Sequence, residues 1–327
     1  MSKPKIVVIG GGTGIPVILN SLRRENVDLT AIVTVADDGG SSGRLRSAVN
    51  IAPPGDLRNV LIAMSDMPRF YADILQYRFD EADGPLAGHP LGNLIIAAVG
   101  EMQGSTYKAI QTLSRFFHIE GNIYPSSDSP LTLHAVFKDG HEVAGESHIA
   151  DYVGIIDHVY LTETETGNAP IASKNVVKSI MEADTIVLGP GSLFTSILPN
   201  IVIPEICDAL LKTKAKIVYV CNIMTQRGET EHFTDADHVR VLHEHIGASI
   251  IDTVLVNIEK VPESYMNTNK FDEYLVQVEH NFKGLKNENV TVVSNNLLKL
   301  RDGGAFHDGE AVAREIIAIS HRQEVKI

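Results

Sequence analysis

Positive charge, cysteine and long apolar runs are all scarce in this 327-residue sequence, and each shortage excludes a class of protein. Lys and Arg number 28 against 41 Asp and Glu, so the net charge is −13. That charge disfavours nucleic acid and anionic membrane surfaces as partners. No apolar run reaches the roughly 18–20 residues of a membrane span. We therefore expect a protein that neither enters a membrane nor binds nucleic acid.

The two cysteines, Cys207 and Cys221, fit no metal-binding spacing. Core thiols in a reducing compartment are the simplest interpretation. The apolar run near the N-terminus is short and ends in glycines, so the sequence predicts no signal peptide. We expect a cytoplasmic protein.

Two nucleotide-binding signatures are missing as well. The turn at residues 10–14 begins like a dinucleotide fingerprint, but Ile15 stands where the third glycine belongs. No Gly-Lys pair occurs, which excludes a P-loop. What remains is a strand, a glycine turn and a helix, an arrangement that offers a positive helix N-terminus to an anion. A plain tight turn is the alternative to a phosphate or sugar contact. The residues assigned to that contact are Gly11, Gly12, Thr13 and Gly14.

Short apolar runs alternate with segments of helical periodicity along most of the chain, and 44% of its residues are hydrophobic. This alternation predicts an α/β fold with a doubly wound, mostly parallel sheet. We expect a single domain over residues 1–327, with a β-rich insertion at about 118–166, where short strands and the turn 138–141 appear. Apolar residues from Phe271 to Phe282 predict a helix there.

Ligands of such sheets bind beyond the carboxyl ends of the strands. The glycine-rich and polar loops of this sequence fall at five predicted strand ends: residues 10–14, 37–43, 189–192 and 222–226, and Asn257. Five such loops indicate a binding site more strongly than any one of them.

The second loop combines carboxylates, glycines and arginines. Asp37 and Asp38 could bind a ribose or a divalent cation, or form a solvated acidic loop. Arg44 and Arg46 are candidate phosphate ligands, although one of them could be structural. Asp56 fits either a helix N-cap or the site, and the two roles are compatible.

Histidines differ in what their surroundings indicate. His89 lies in a loop that enters a predicted buried helix capped by Asn93, so proton transfer is a candidate role. His238, His243 and His245 lack metal-binding spacing and are predicted to lie on a solvated helix face. The segment 189–196 lacks the Gly-x-Ser-x-Gly pattern of a nucleophile elbow and is interpreted as a loop facing base or ribose.

Six motifs occur together in one order, and jointly they resemble the YvcK-type gluconeogenesis factor family, which is related to the 2-phospho-L-lactate transferase CofD. The motifs are GGGTG at 10–14, DDGGSSGRLR at 37–46, PPGDLRN at 53–59, HxLGN at 89–93, GPGSLxTS at 189–196 and CNxMTQxGET at 221–230. The resemblance covers nearly the whole chain. It implies a Rossmann-like cytoplasmic protein that binds UDP-sugars, notably UDP-N-acetylglucosamine, and is needed for gluconeogenic growth and cell shape.

The related transferases use Mg²⁺, and their acidic residues would correspond to Asp37, Asp38 and Asp56. Two departures argue against the transferase reaction: the 189–193 loop reads differently, and the motif at 222–230 belongs to the gluconeogenesis-factor branch. An arginine expected just before His307 is absent, and Arg301 would replace its charge.

Two hypotheses follow: a UDP-sugar-binding regulatory factor, or an Mg²⁺-dependent phospho-group or nucleotide-sugar transferase. An NAD(P)-dependent oxidoreductase is weakened by Ile15. We expect no nucleic-acid partner, and a homo-oligomer, a dimer. The tentative catalytic set is Asp37, Asp38, Asp56 and His89, with Asp37 and Asp38 as metal ligands. The further ligand-binding set is Gly39, Gly40, Ser41, Arg44, Asn93, Gly189, Gly191, Ser192, Thr195, Asn200, Asn222, Thr225 and Arg301.

Overall fold

Strands and helices alternate along the computed structural model, which describes residues 3–49, 51–266 and 274–321. The strands are β1 (Lys5–Gly10), β2 (Asp28–Val33), β3 (Asn122–Pro125), β4 (Leu131–Phe137), β5 (Glu142–Ala144), β6 (Ile156–Glu163), β7 (Thr185–Leu188), β8 (Lys216–Val220), β9 (Met224–Gln226), β10 (Thr253–Asn257), β11 (Tyr274–Gln277), β12 (Thr291–Asn295), β13 (Leu298–Arg301) and β14 (Gly304–His307).

Thirteen α-helices accompany these strands within the described residues. They are α1 (Gly14–Leu22), α2 (Gly40–Val49), α3 (Pro54–Met64), α4 (Arg69–Gln76), α5 (Leu91–Gln103), α6 (Thr106–Phe116), α7 (Glu146–Asp151), α8 (Lys174–Glu182), α9 (Leu198–Ile201), α10 (Pro204–Lys212), α11 (Asp235–Ile246), α12 (Phe282–Asn287) and α13 (Gly309–His321). A π-helical turn, Leu193–Ile197, precedes α9.

Seven strands form one parallel sheet in the order β12-β10-β8-β7-β1-β2-β3. From β1 the chain proceeds outward through β2 and β3, and it then returns to the other side of β1 with β7. The strand order therefore reverses between β1 and β7. Ligands of doubly wound sheets bind at this switch point. The predicted fold class is confirmed.

Burial on both faces explains why the central strands are almost continuously apolar. β1, β7 and β8 are buried along nearly their whole length. Helix α1 covers one face with the side chains that its spacing predicted, Ile15, Ile18, Leu19 and Leu22. Fully burying such a side chain stabilises a fold by about 1.5–3 kcal/mol. The sheet is therefore a rigid support for the loops at its edge.

The segment predicted as a β-rich insertion contains two kinds of strand. β3 pairs with β2 as the last strand of the large sheet. β4 pairs antiparallel with β5 and with β6 in a separate three-stranded sheet. The hairpin turn predicted at residues 138–141 connects β4 to β5. Helix α7 lies between β5 and β6 in the chain, and its N-terminal part contacts the second glycine-rich loop.

The helix predicted from Phe271 to Phe282 is wrong over its described part. Residues 274–277 form β11, which pairs antiparallel with β9, and α12 begins only at Phe282. Over so few residues, apolar spacing fits a strand as well as a helix. Residues 274–277 pair with β9, and this pairing favours a strand over a helix there. Phe271 lies outside the described residues.

Two predicted helix caps are also wrong. Helix α3 begins at Pro54, so Asp56 occupies its first turn, and Pro53 is the N-cap residue. Helix α5 begins at Leu91, which places Asn93 inside it. Proline at or before the first helical position presets the backbone, so each helix begins earlier than the polar side chain suggests.

The predicted solvated face of α11 is wrong as well. His238 is fully buried, and His243 is 7% exposed. Each ring has a protein partner: His238 Nδ1 lies 2.8 Å from the Thr234 carbonyl, and His243 Nδ1 lies 2.8 Å from Glu288 Oε2. Burial of these two rings is compatible with a helix core because at least one nitrogen of each has a polar partner.

The helices of the described ranges are short compared with a membrane span. No single helix there is long and apolar enough to cross a membrane. The bent pair Leu193–Ile201 and Pro204–Lys212, which meets at 76°, reaches the required length only as a pair.

Candidate functional site

The switch point between β1 and β7 opens into a cleft of about 280 Å³, here called the nucleotide cleft. Residues from five separate parts of the chain line it. They are Gly12, Thr13, Gly14, Val17, Glu146, Pro190, Gly191, Ser192, Ser196, Asn222, Ile223, Met224, Gln226, Ala305, Phe306 and His307. Six of the predicted site residues are among them: Gly12, Thr13, Gly14, Gly191, Ser192 and Asn222. The remaining predicted residues lie elsewhere.

The glycine turn after β1 is required by close packing and by backbone conformation. Gly12 has φ +66°, a conformation that favours glycine. A Cβ on Gly14 would lie 2.3 Å from the Pro190 carbonyl oxygen, so the turns after β1 and β7 touch backbone to backbone. A Cβ on Gly11 would lie 2.4 Å from Thr34 Cγ2. Gly11 therefore serves packing, while Gly12 and Gly14 form the cleft wall.

Helix α1 points its N-terminus into the nucleotide cleft. Thr13 is the N-cap residue, but its side chain makes no capping hydrogen bond to the first turn of the helix. Uncapped N–H groups at a helix N-terminus carry a partial positive charge and bind anions. The first turn of α1 is therefore the most favourable place in the cleft for a phosphate.

Asp56 supports the glycine turn from below. Its Oδ2 accepts a hydrogen bond of 2.6 Å from Gly12 N. The pKa of Asp56 is raised to about 6. Burial is the main cause and nearby Asp37 adds to it, while the Gly12 N–H and Arg58 act in the opposite direction. The group therefore titrates close to neutral pH, where a general acid or base is most effective.

Asp37 and Asp38 lie in the second loop but face different partners. Asp37 Oδ1 accepts a hydrogen bond from Gly39 N at 2.8 Å, within its own loop. Asp38 Oδ1 accepts one from Ser147 N at 3.0 Å, at the start of α7. Asp38 thus fastens α7 to the second loop. Within the described residues, no group of three or more His, Cys, Asp or Glu side chains is placed to hold a metal ion.

Glu146, at the start of α7, is a cleft residue that sequence reasoning missed. Burial raises its pKa to about 9, and nearby Asp37, Asp56, Glu229 and Asp38 raise it too. Its carboxyl group is therefore protonated at neutral pH and can donate a hydrogen bond into the cleft. Sequence reasoning assigned no site residue to the predicted insertion, and a Gly-Glu pair after a short strand is a weak signal.

The opposite wall is polar and comes from the loops after β7 and β8. Gln226 Nε2 donates to Ser192 Oγ at 2.7 Å, and Asn222 Nδ2 donates to Gln226 Oε1 at 3.4 Å. These amide and hydroxyl groups suit the base, ribose or sugar of a nucleotide, because each can both donate and accept. Gln226 was not predicted, although it belongs to the quoted motif at 221–230.

Three predicted ligand-binding residues instead stabilise the loops around the cleft. Thr195 Oγ1 donates to Glu229 Oε1 at 3.0 Å, and Thr225 Oγ1 donates to the Val276 carbonyl at 3.2 Å. Asn200 is fully buried, and its Nδ2 donates to the carbonyls of Gly10 and Ser196. Their contact with a ligand stays a prediction. Each amide or hydroxyl is used by the protein itself.

A second polar group, here called the buried relay, comprises Arg58, Asn93, Ser41 and His89. Arg58 Nη1 donates to Asn93 Oδ1 at 2.6 Å, and Asn93 Nδ2 donates to Ser41 Oγ at 3.0 Å. Ser41 Oγ lies 2.8 Å from His89 Nδ1. Burial lowers the pKa of His89, and the cations of Arg44 and Arg78 lower it further.

The buried relay lies outside the nucleotide-cleft lining, and so do its neighbours in the second loop. Ser41, which belongs to α2, is buried, and so are Asn93 and His89. Arg44 Nη2 donates to the Ala87 carbonyl at 2.8 Å, which ties α2 to the loop before α5. Arg46 Nη1 donates to the Leu131 carbonyl at 2.9 Å. Gly39, Gly40 and Gly189 are turn residues that also lie off the cleft wall.

The apolar end of the nucleotide cleft is formed by β9 and the β13–β14 hairpin. Met224, Phe306 and His307 lie there. His307 Nε2 lies 3.1 Å from the Cys221 carbonyl, which assigns the proton to that nitrogen. Burial lowers the pKa of His307 to about 4, so the ring is neutral at neutral pH. Arg301 covers the Phe306 ring at 4.6 Å, outside the cleft.

Comparison with protein families identifies the family to which the chain belongs. The model of the family described as 2-phospho-L-lactate transferase CofD matches residues 6–298. The chain belongs to the CofD family. The match begins in β1 and extends beyond β12, so it includes nearly every cleft-forming loop.

The chain is highly similar to proteins named as gluconeogenesis factors. A “Putative gluconeogenesis factor” of Lactococcus lactis subsp. lactis is 82% identical over 326 residues and covers all of both chains. A “Gluconeogenesis factor” of Listeria monocytogenes is 45% identical over 322 residues, 98% of this chain and 97% of that protein. A crystal structure of a UPF0052 family protein from Bacillus halodurans has a TM-score of 0.91 at 38% identity, covering 96% of this chain and 100% of the other.

Proposed function

We propose that this CofD-family chain binds a nucleotide sugar of the UDP-N-acetylglucosamine type and acts as a cytoplasmic regulatory factor in gluconeogenic growth and cell shape. One observation carries the proposal. The uncapped N-terminus of α1 and the polar wall of Ser192, Asn222 and Gln226 face the same cleft. A nucleotide diphosphate has an anion that suits the first and a base and sugars that suit the second.

The carboxyl groups around the nucleotide cleft limit how a diphosphate can enter. Asp37, Asp38, Asp56, Glu146 and Glu229 influence one another electrostatically. A protonated Glu146 reduces repulsion and can donate to a phosphate oxygen. Mg²⁺ usually binds through one or two carboxylates together with substrate phosphates. Asp37 would serve such an ion only once phosphate oxygens completed its coordination, so we propose that Mg²⁺ enters with the ligand.

Calorimetric titration with UDP-N-acetylglucosamine, GDP and NAD⁺, each with and without Mg²⁺, tests the proposal. We expect UDP-N-acetylglucosamine to bind most tightly, because the polar wall offers both donors and acceptors to base and sugar. Binding of GDP or NAD⁺ alone, with no heat from the UDP-sugar, would refute it.

A transferase is the second candidate, favoured by one specific observation. Asp56, whose pKa is raised to about 6, lies directly below the proposed phosphate position through its bond to Gly12 N. Such a group could take a proton from an attacking hydroxyl while Mg²⁺ and phosphate occupied the cleft. Turnover of an added acceptor only in the presence of Mg²⁺ would support this candidate.

Growth provides the matching cellular test. An Asp37→Asn/Asp38→Asn double variant is expected to support growth on gluconeogenic carbon if the protein acts only as a regulator. Loss of growth by this folded double variant would favour metal-dependent catalysis instead.

A further inference from the structure

A wider groove of about 530 Å³ adjoins the nucleotide cleft and shares Thr13, Val17 and His307 with it. We call it the basic groove, because the side chains of Arg23, Arg24, Lys299 and Arg301 line it. Helices α1 and α3 and the β13–β14 hairpin supply most of its wall. The volume of the nucleotide cleft is near the lower limit of ligand cavities, roughly 300 Å³, so a sizeable ligand would extend into the groove.

The net charge of the groove lining is positive, whereas that of the whole protein is negative. Four Arg and Lys side chains line it against two carboxylates, Asp308 and Glu310, in a chain of net charge −13. Asp308 is already engaged, since its Oδ1 accepts hydrogen bonds from Glu310 N and Ala311 N at the start of α13. The groove thus has a local excess of cations beside a cleft whose lining includes the carboxyl group of Glu146.

Pairing shows which cations are available to a ligand. Arg23 Nη1 forms an ion pair of 3.2 Å with Asp66. Lys299 and Arg301 lie two residues apart on β13, so they share one face of the hairpin, and both are exposed. Arg24 is exposed at the end of α1. The positive face of the groove is therefore formed chiefly by Arg24, Lys299 and Arg301.

The hairpin connects the two cavities physically. Arg301 lies 4.6 Å above the centre of the Phe306 ring, and that ring lines the nucleotide cleft. His307 stands at the shared boundary as a neutral ring, because burial lowers its pKa to about 4. The positive charge of the groove thus comes from its Arg and Lys side chains.

We propose that the basic groove is a second subsite, which binds a carboxylate or phosphate group while the nucleotide cleft holds the nucleotide. The inference rests on the proposed nucleotide binding for the occupant of the first cavity. The anionic group belongs either to the sugar of the same nucleotide or to a separate small molecule. Exposed cations that converge on one site attract both alike.

A matched ligand pair tests the first source. UDP-glucuronic acid and UDP-glucose differ by one carboxylate, and calorimetry compares their affinities for the full chain. We expect the acid to bind about 2- to 5-fold more tightly, as is typical of exposed charge pairs. The preference should disappear in Lys299→Glu/Arg301→Glu and shrink in the neutral Lys299→Gln/Arg301→Gln.

The control carries the same change of charge elsewhere. Lys214→Glu/Lys283→Glu alters two exposed lysines outside both linings, so it should keep the preference. Urea unfolding of each variant shows whether it is folded. Equal affinities of the wild type for the two ligands would exclude the sugar of the nucleotide as the source of the anionic group. A separate small anion would then be the remaining source.

Inorganic phosphate, titrated into protein saturated with UDP-glucose, tests that second source. Binding that is lost in Lys299→Glu/Arg301→Glu and kept in the control supports a subsite for a separate anion. Absence of both the carboxylate preference and phosphate binding overturns the inference while leaving nucleotide binding intact. If neither UDP-sugar binds, the proposed function fails, and the phosphate titration without nucleotide alone decides the groove.

Discussion

The loops after β1 and β2 have similar sequences but differ in whether they are open to the nucleotide cleft. Both follow apolar parallel strands, both are rich in glycine, and both precede a helix. The first leaves the N-terminus of α1 open to the nucleotide cleft. The second uses Asp37, Asp38 and Ser41 for bonds within the protein. Glycine content thus marks close backbone approach in both, whereas access to a ligand depends on whether polar groups already have partners.

The largest expected difference between these loops comes from adding one methyl group to each. Gly14→Ala would place Cβ 2.3 Å from a backbone carbonyl, which cannot move without separating the loops after β1 and β7. We expect a loss of roughly 3 kcal/mol or more in the free energy of unfolding. Gly40→Ala has open space around Cβ and only a positive φ, so about 1–2 kcal/mol is expected. Equal losses in urea unfolding would contradict the contrast.

The next effect separates the buried relay from the cleft. Asn93→Ala leaves Arg58 and Ser41 without a shared partner inside the protein. We expect unfolding to become easier by about 2–3 kcal/mol, because unpaired buried polar groups are costly. UDP-N-acetylglucosamine affinity of the folded variant should stay near that of the wild type.

An exposed amide provides the control for that variant. Gln103→Ala removes an exposed side-chain bond to Thr112 and should change stability by less than about 0.5 kcal/mol. If Asn93→Ala weakened nucleotide binding as strongly as a change in the cleft wall, the relay would belong to the site after all.

A pH effect is expected at Glu146, where a residue of the insertion meets the cleft. Its pKa is about 9 in the folded protein, against about 4.3 when unfolded. The folded state therefore binds the extra proton between these values, and Glu146 lowers stability progressively as pH rises through that window. Glu146→Gln cannot ionise, so it should be more stable than the wild type by roughly several kcal/mol near pH 9 but by only about 1 kcal/mol near pH 5, since one pKa unit corresponds to about 1.4 kcal/mol.

Urea unfolding at pH 5, 7 and 9 measures the difference between Glu146→Gln and the wild type. Glu120→Gln, a change at an exposed residue before β3, serves as the control and should follow the wild type at each pH. A constant gap between Glu146→Gln and the wild type at all three pH values would show that Glu146 does not carry the extra proton.

The smallest effect is expected at the polar wall. Ser192→Ala removes the acceptor of Gln226 Nε2 in the cleft. UDP-N-acetylglucosamine affinity should fall by about 2- to 10-fold, the usual worth of one neutral hydrogen bond, with little change in stability. Ser47→Ala, on the exposed side of α2, is the matched control and should leave affinity unchanged. An unchanged Kd for Ser192→Ala would remove that hydroxyl from the proposed binding surface.

Particular residues show how far sequence reasoning reached. The parallel sheet and the buried stripe of α1 follow from apolar spacing, and the structure confirms them. The glycine loops after β1 and β7 do meet at one cleft. Thr195, Asn200 and Thr225 bond to other parts of the protein, which no motif predicted, because a polar residue in a motif looks the same whether it faces a ligand or another protein group. Glu146 and Gln226 were missed, since one lies in the insertion and the other inside a short strand.

The sequence by itself determined the order of strands and helices and the loops that end them, because those depend on local spacing of apolar residues and on glycine and proline. Tertiary structure decided which of the polar side chains remain open to a ligand. It brought the turn at Gly12, the loop at Ser192 and the start of α7 around one cleft. It also used Asn93 and Ser41 elsewhere. The physical reason is that the availability of a polar group depends on partners distant in the chain, which no local pattern records.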